Sequence, residues 1–505
     1  MNFVVTTAQM KMAEDVSQLN GVSKYQLMEN AGTALAEAIE ETVGTADKSF
    51  VILSGKGNNG GDGIVLGQRL AAAGAQVLVI LTAGEPVTPE ASTALGRYRN
   101  ACPTAFYENN PEAARAALAA ADVIVDCVFG TGFRGQLDGG TAELFAFINE
   151  LPDPVRVSVD IPSGVNGDSG EVSHNAFAPH YTFTLGAMKQ GLLNYPCNEQ
   201  CGKIRLLNIG IAESCFREYT AQLTDDSILK FQIKRPRDSN KGSYGRFLNI
   251  AGSGCYMGAA VLSTRAALRT GAGLVTLAAP KEVVPVAAAA VPEAVFLPLE
   301  QDENGFMDRN SPKRLTSQLA NATAAAIGCG IGNTESGRII VKAVLQTGDC
   351  PLILDADGIN CAADNINVLK GSKRQLVLTP HPGEFSRLTG LSVQEIRQNR
   401  LALARAFARE KNVVLLLKGA DTVIASPDGR TFVNTTGNPA LAKAGCGDVL
   451  TGIIGGFLAQ GIEPFFAAAL GAYVHGKCAD RLVESASAAS VLASDIIESL
   501  PYVLS

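Results

Sequence analysis

The sequence predicts an α/β protein made of two parallel-sheet domains. Three observations carry that prediction. Short β-branched apolar runs alternate with helix-like segments almost throughout, the pattern of parallel sheets covered by helices on both faces. The chain has 505 residues, a length suited to two to four domains. The alternation fails once, at residues 212–232, where "AESCFREYTAQLTDDSILKFQ" is polar and keeps no register. No repeat of short fixed period is present.

Taken in order, the strands of the first part are "FVILSG", "AQVLVILTAG", "ADVIVDCVFG" and "VRVSVDIPSG", and "LLNIGI" closes the series. Those of the second are "GRFLNIAGS", "GLVTLAAP", "ATAAAIGCG", "PLILDADG", "QLVLTPHPG" and "VVLLLKGA". Each is a buried-type run stopped by glycine or a turn residue. After the first strand, "GIVLGQRLAAAG" has helical spacing and ends on Gly74, a suitable helix terminator.

The bulk composition limits the function classes. The chain is 47% hydrophobic and 18% charged, enough for ordinary globular cores. Its net charge of −7 argues against nucleic-acid binding through a basic surface. The first twenty residues have no charged-then-apolar leader, and prolines and a glutamate break "VVPVAAAAVPEAVFLPL". No membrane association is expected, and a cytoplasmic location is. Eleven scattered cysteines read as reduced thiols, and "CNEQC" lacks a second ligand pair for zinc.

In open α/β sheets, ligands lie beyond the carboxyl ends of the strands, so the residues after each strand carry the chemistry. The first such stretch is "KGNNGGD". Gly55, Gly57 and Gly60 satisfy G-x-G-x-x-G, a weak signal alone, and no Lys-Ser or Lys-Thr follows to make a Walker A loop. Free N–H groups at a helix N-terminus bind anions. Asn58, Asn59 and Asp62 add side-chain donors and acceptors; the plain alternative is a tight turn with solvated polar residues. Asp126 and Asp160 end apolar strands, where a carboxylate must find a partner. Turn capping is the alternative for Asp160 and Ser163.

In the second part, Gly445, Cys446 and Gly447 precede a long apolar helix, and their N–H groups suit an anion hole. Asp448 follows, placed to take a proton from a hydroxyl; an aspartate favoured by the helix dipole is the alternative. Lys418, at a strand end, suits a diphosphate, with Thr422 adding a hydroxyl; a solvated strand end is the alternative. His381 lies between two prolines, where a surface histidine is the plain reading. Asp357 and Asn360 are helix caps or ligand contacts.

Together these motifs have a familiar order. "LMENAG", "GNNGGDG", "FGTG", "SVDIPSGVNGDSGE" and "TLGAMKQGL" resemble the NAD(P)H-hydrate epimerase domain. "KGSYGRFLNIAGS", "GAGLVT", "LDADGIN", "LTPHPGE", "KGADT" and "GNPALAKAGCGDVLTGIIGGFLAQG" resemble the ADP/ATP-dependent NAD(P)H-hydrate dehydratase domain. The resemblance covers nearly the whole chain and matches the fused bifunctional repair enzymes common in bacteria. It implies a Rossmann-like three-layer sandwich at residues 1–218 and a ribokinase-like domain at residues 219–505. It also implies the task. Hydrated NADH and NADPH (NADHX and NADPHX) carry a hydroxyl at C6 of the nicotinamide ring; one domain interconverts the R and S epimers, and the other dehydrates the S form at the expense of a phosphoanhydride.

The resemblance assigns residues. Asn58, Asn59, Gly60, Gly61 and Asp62 would cradle the hydrate's phosphate-bearing part, and Gly130, Thr131, Gly132, Phe133, Arg134, Gly135 and Gln136 would line the substrate. Asp160 would be the acid/base group near C6, helped by Lys189. Asn59, Asp126 and Ser163 would hold potassium, for which oxygen donors are suitable. In the second domain Gly258, Gly332, His381 and Asp448 would meet the hydrate. Lys418, Gly419, Ala420, Asp421, Thr422, Asn438, Gly445, Cys446 and Gly447 would bind ADP, with or without magnesium. A homo-oligomer is expected. Three positions depart from the family: Gln190 stands for the usual proline, Cys446 for threonine, and Asn240 for histidine, whose role is not carried over. Three other readings stay open: a ribokinase-class small-molecule kinase, a non-catalytic nucleotide-binding first domain, and a dehydrogenase built on the glycine fingerprint.

Overall fold

The computed structural model describes residues 2–370 and 374–505. The chain divides into two compact units, Met1–Gln222 and Leu223–Ser505.

In the first unit the strands are β1 Phe3–Val5, β2 Ser49–Ser54, β3 Gln76–Leu81, β4 Thr104–Phe106, β5 Val123–Cys127, β6 Val155–Val159, β7 Tyr181–Leu185, β8 Met188–Lys189 and β9 Lys203–Leu207. Seven of them form a parallel sheet in the order β4-β3-β2-β5-β6-β7-β9. The chain runs outward from β2 to β4, then returns to place β5 on the other side of β2. That reversal opens a crevice at the carboxyl ends of β2 and β5. The β-branched runs are buried on both faces, as helix-covered parallel strands require.

The "NNGGD" stretch is no loop. The helix begins at its first asparagine and runs Asn58–Ala72, so the polar residues form its first turn. Glycine's poor helix propensity makes this turn read as a loop in sequence. The glycines serve close approach: a Cβ on Gly60 would lie 2.0 Å from the Gly55 carbonyl oxygen. The helix can therefore start tight against the end of β2. The sequence pattern also passes over β1 and β4, which have three residues each, and β7, whose two threonines interrupt the apolar run.

After β10 Ala221–Leu223, the second unit contributes β11 Arg246–Ile250, β12 Leu274–Pro280, β13 Val295–Leu299, β14 Ala324–Ile327, β15 Leu352–Leu354, β16 Leu376–Leu378, β17 Val414–Leu417, β18 Thr422–Ala425 and β19 Thr431–Asn434. Their order is β13-β12-β11-β14-β15-β16-β17-β18-β19. Pairing is parallel up to β17, and β18 and β19 then add antiparallel. This terminal hairpin is the departure from the all-parallel expectation. It frees β17 to end in a tight turn, residues 418–421, at the edge of the site.

Helix Cys446–Ala459 is buried on nearly every side, so it carries no polar stripe. Its glycines let neighbours close in. A Cβ on Gly452 would lie 2.2 Å from the Ser263 carbonyl oxygen, and one on Gly455 would lie 2.2 Å from the Phe247 ring. The helix N-terminus is thereby held at the carboxyl ends of the strands. No helix among the described residues is long and apolar enough to cross a membrane.

Candidate active sites

The crevice of the first unit is a cavity of about 410 Å³. Asn58, Asn59, Asp62, Gly130, Thr131, Gly132, Phe133, Asp160 and Lys189 line it, as do Glu14, Lys24 and Lys56. A Cβ on Gly130 would lie 3.3 Å from Asn59 Cβ and 3.4 Å from Asp160 Oδ2. Three strand ends therefore converge on one point.

Asp160 adopts φ +67°, a left-handed conformation that costs a non-glycine residue about 1–2 kcal/mol. Tertiary bonds hold it there. Its N–H donates 2.8 Å to the Phe183 carbonyl, and its Oδ1 accepts from Leu185 N–H at 3.2 Å and from the Lys189 ammonium. Lys189 is 1% exposed. Its remaining protons go to the Leu185 carbonyl at 2.6 Å and the Thr184 hydroxyl at 3.3 Å, so all three donors are committed.

Beneath the cavity lies Asp126, fully buried. Its oxygens accept from Ser158 Oγ at 2.8 Å, Ser163 N–H at 2.8 Å, Ser163 Oγ at 2.6 Å and Val128 N–H at 3.1 Å. Burial still leaves its carboxyl above the usual range, although these bonds oppose the rise. Asn59 donates to the Phe129 carbonyl at 3.0 Å. Its buried Oδ1 has no donor among the described residues.

Two other carboxyls share the cavity. Burial, reinforced by Asp160 and Glu14, pushes Asp62 well above the usual carboxylate range. Burial pushes Glu14 up to about 7, against the opposing charge of Lys189.

Some expected substrate residues lie elsewhere. Arg134 turns away to Asp168 at 3.0 Å and to the Thr7 hydroxyl at 2.7 Å. Gln136 Oε1 accepts from Ser173 Oγ at 3.0 Å. Neither they nor Gly135 line the cavity, and Gly60 and Gly61 pack behind it. Gln190, in place of proline, bonds to the Asp168 carbonyl at 3.1 Å.

In the second unit a largely apolar cavity of about 570 Å³ is lined by Lys418, Gly419, Ala420, Thr422, Asn438, Cys446 and Gly447, with Leu450 and His475. Asp421 and Gly445, expected at the nucleotide, adjoin lining residues in the chain but do not line it themselves. Buried Arg400 fixes its rim, donating to the carbonyls of Leu417 at 3.1 Å, Lys418 at 3.2 Å and Asp421 at 3.0 Å. Asn438 is held by Asp480 at 3.0 Å.

At the inner end Lys418 pairs with Asp355 at 3.0 Å. Asp355 also accepts from Thr379 Oγ1 at 2.7 Å and Thr451 Oγ1 at 2.8 Å. Burial alone would raise Asp355, but Lys418 and these hydroxyls hold it below the usual range. Conversely, burial would lower Lys418, but Asp355 and Glu384 hold it above its ordinary value. A Cβ on Gly447 would lie 3.7 Å from Lys418 Nζ and 3.9 Å from Asp355 Oδ2. Lysine, carboxylate and helix N-terminus thus meet at one place.

Gly445, at φ +91°, starts that helix. The expected trio of anion-hole donors is reduced: Cys446 N–H already donates to the Lys443 carbonyl at 3.3 Å. The first helical bond runs from Val449 to Gly445, leaving Gly447 and Asp448 N–H groups ahead of the ladder. Burial and the neighbouring Asp355 raise the Asp448 carboxyl to about 6.

Gly258, Gly332 and His381 stand outside this cavity. Gly332 donates to Asp357 at 2.9 Å. His381 caps helix Pro382–Thr389, its Nδ1 accepting from Gly383 N–H at 3.0 Å. Asn240 caps the turn Lys241–Tyr244. The sequence reading missed Glu14, Asp355, Arg400 and His475. Only Asp355 had a legible signal, since it directly follows a buried strand.

Comparison with known proteins fits this geometry. Residues 247–502 match the family described as NAD(P)H-hydrate dehydratase, and residues 24–191 match the YjeF-related protein N-terminus. A bifunctional NAD(P)H-hydrate repair enzyme of Moorella thermoacetica is 38% identical over 99% of this chain and 96% of its own; that of Escherichia coli is 32% identical over 97% and 91%. The Bacillus subtilis ADP/ATP-dependent NAD(P)H-hydrate dehydratase, co-crystallised with ATP and Mg2+, superposes with TM-score 0.50 at 37% identity, covering 55% of this chain and 96% of that one. Fold and sites therefore define a two-unit α/β enzyme, one half Rossmann-like and the other ribokinase-like. The chain belongs to the family of bifunctional NAD(P)H-hydrate repair enzymes.

Proposed function

We propose that the chain mends hydrated nicotinamide cofactors by dividing the work between its units. The first interconverts R- and S-NAD(P)HX at the Asp160–Lys189 cavity. The second dehydrates the S epimer, using ADP and releasing AMP and phosphate. One observation carries the reading: a nucleotide-sized cavity ends where Lys418, a glycine-led helix N-terminus and Asp448 converge. There the Gly447 N–H and Lys418 favour a phosphoryl group in transfer. Asp448, ionised above about pH 6, takes the proton of the C6 hydroxyl. The test is purified protein with mixed hydrate and ADP or ATP, following both epimers by chromatography and reduced nicotinamide by absorbance. A stable phosphate ester instead of reduced nicotinamide would make the second unit a kinase.

For the first unit, the same reading places potassium on Asn59, Asp126 and Ser163. Support comes from the buried Asn59 Oδ1 that lacks a donor and from the oxygen-only character of the set. Bound there, the ion would supply fixed positive charge beneath the substrate's phosphates. Epimer exchange undiminished in a bulky organic cation would rule it out. In the second unit, magnesium would accompany the nucleotide phosphates.

A further inference from the structure

Epimerisation at C6 needs chemistry on both faces of the ring, yet the assigned residues, Asp160 and Lys189, form a single ion pair. Asp160 follows β6, and Lys189 is committed to holding it. Glu14 comes from another element, helix Thr7–Leu19, and lines the same cavity. Among the described residues no group donates a hydrogen bond to its carboxyl. A cavity-lining glutamate with no hydrogen-bond donor among the described residues, electrostatically coupled to the Asp160–Lys189 pair, is available for chemistry.

We propose that Glu14 is the second proton-transferring group of the epimerase, acting on the ring face opposite Asp160. The inference rests on the epimerase reading given above. In the R-to-S direction, the C6–O bond breaks and its electron pair leaves with the oxygen, which takes the proton of one carboxylic acid and departs as water. The lone pair of ring nitrogen N1 forms a C=N bond to C6. A water on the other face then adds to C6 and gives its proton to the other carboxylate, while the C=N pair returns to nitrogen. One proton is donated and one accepted; before the next turnover in the same direction both carboxyls regain their starting forms by proton exchange with solvent. No oxidant or further reactant is consumed.

The surroundings suit a group that must serve in both forms. Facing Glu14 are Asp15 on its own helix, Lys24 on the next helix, Asp62 on helix Asn58–Ala72, and Asp160 and Lys189. Lys56 also lines the cavity. Lys24 is tied to Asp15 at 2.7 Å and Lys189 to Asp160. With both cations engaged, burial prevails and the Glu14 carboxyl stands at about 7. At neutral pH it is therefore present as acid and as base, near the best point for proton transfer.

The test compares the full chain with its Glu14→Gln and Glu14→Asp variants. Each receives the R epimer in ¹⁸O-labelled water from pH 5.5 to 8.5. Chromatography and mass spectrometry follow S-epimer formation and label uptake, after subtraction of the spontaneous rate; circular dichroism and the melting midpoint verify folding. Glu14→Gln should slow exchange and label uptake together, by about 10²–10⁴-fold, and remove the bend near pH 7. Glu14→Asp should recover part of the rate and keep a bend. A Glu14→Gln rate within about threefold of the parent, a slowed variant with its bend intact, or an S epimer retaining its original oxygen would each overturn the proposal. A parent protein unable to exchange epimers would instead overturn the epimerase reading, and the inference with it.

Discussion

In the first unit a fully buried lysine, Lys189, holds Asp160 while Glu14 stands beside them with its carboxyl at about 7. In the second, Lys418 holds Asp355 while Asp448 stands at about 6. The parts are alike: one carboxylate fixed by a lysine, and one left protonatable by burial. The anchoring differs. Asp160 is fixed by an unfavourable backbone conformation and a lysine whose three protons are all committed. Asp355 is fixed by Lys418 and, in addition, by the Thr379 and Thr451 hydroxyls, and Lys418 keeps part of its side chain open to the nucleotide cavity. A hydroxyl anchor leaves the lysine able to turn to a phosphate; a strained backbone anchor does not. The first site therefore suits a reaction of protons alone, and the second a reaction of protons and phosphoryl groups.

The comparison can be broken most sharply at Asp448. Asp448→Asn keeps the shape but removes the base, so nicotinamide recovery should fall by about 10²–10⁴-fold. Epimer exchange in the same protein should continue, as chromatography of both epimers would show. Stability should move the other way. Because the folded-state pKa is raised, the proton is bound more tightly in the folded chain, and Asp448 weakens the fold as pH rises from about 4 through about 6. The variant should therefore melt higher than the parent at pH 8 and no higher below pH 4.

The two lysines should then fail differently. Lys189→Met leaves Asp160 buried and strained with only the Leu185 N–H still donating to it, and breaking such an ion pair costs about 3–5 kcal/mol. Denaturant unfolding should show that loss together with loss of epimer exchange. Lys418→Met leaves Asp355 with two hydroxyl donors, so its main effect should be on nicotinamide recovery and a smaller one on stability. Equal destabilisation would erase the distinction between the two anchors.

A gentler probe is pH. With S epimer and nucleotide well below saturation, so that kcat/KM is measured, the dehydration rate should fall about tenfold per unit below about pH 6 and level off above it. The smallest effect expected is from Cys446→Thr. The Cys446 N–H already bonds to Lys443 and its side chain is buried, so the dehydration rate should stay within about threefold of the parent.

Much of the fold was legible because central parallel strands are mostly apolar: β2, β5, β12 and β17 carry at most one polar residue inside an apolar run and are followed by turn residues. The pattern of residues near strand ends also pointed to Asn59, Asp160 and Lys418, which line the two cavities. Other assignments needed tertiary structure. Arg134 and Gln136 sit in a glycine-rich stretch like the true lining residues, yet Asp168 and Ser173 draw them aside. Asp357 and Asp355 lie two residues apart, and only burial shows that the latter meets Lys418.

By itself, then, the sequence determined the longer central strands and the presence of two helix-covered sheet series. Those follow from local periodicity and turn chemistry, which depend on neighbours along the chain. Tertiary structure decided which charges meet and how they titrate. Glu14 lies 146 residues from Asp160, Asp355 lies 63 from Lys418, and His475 reaches the nucleotide cavity from a helix with no site motif. Burial and charge pairing act through space, so the proton chemistry of both sites emerges only when the strand ends are brought together.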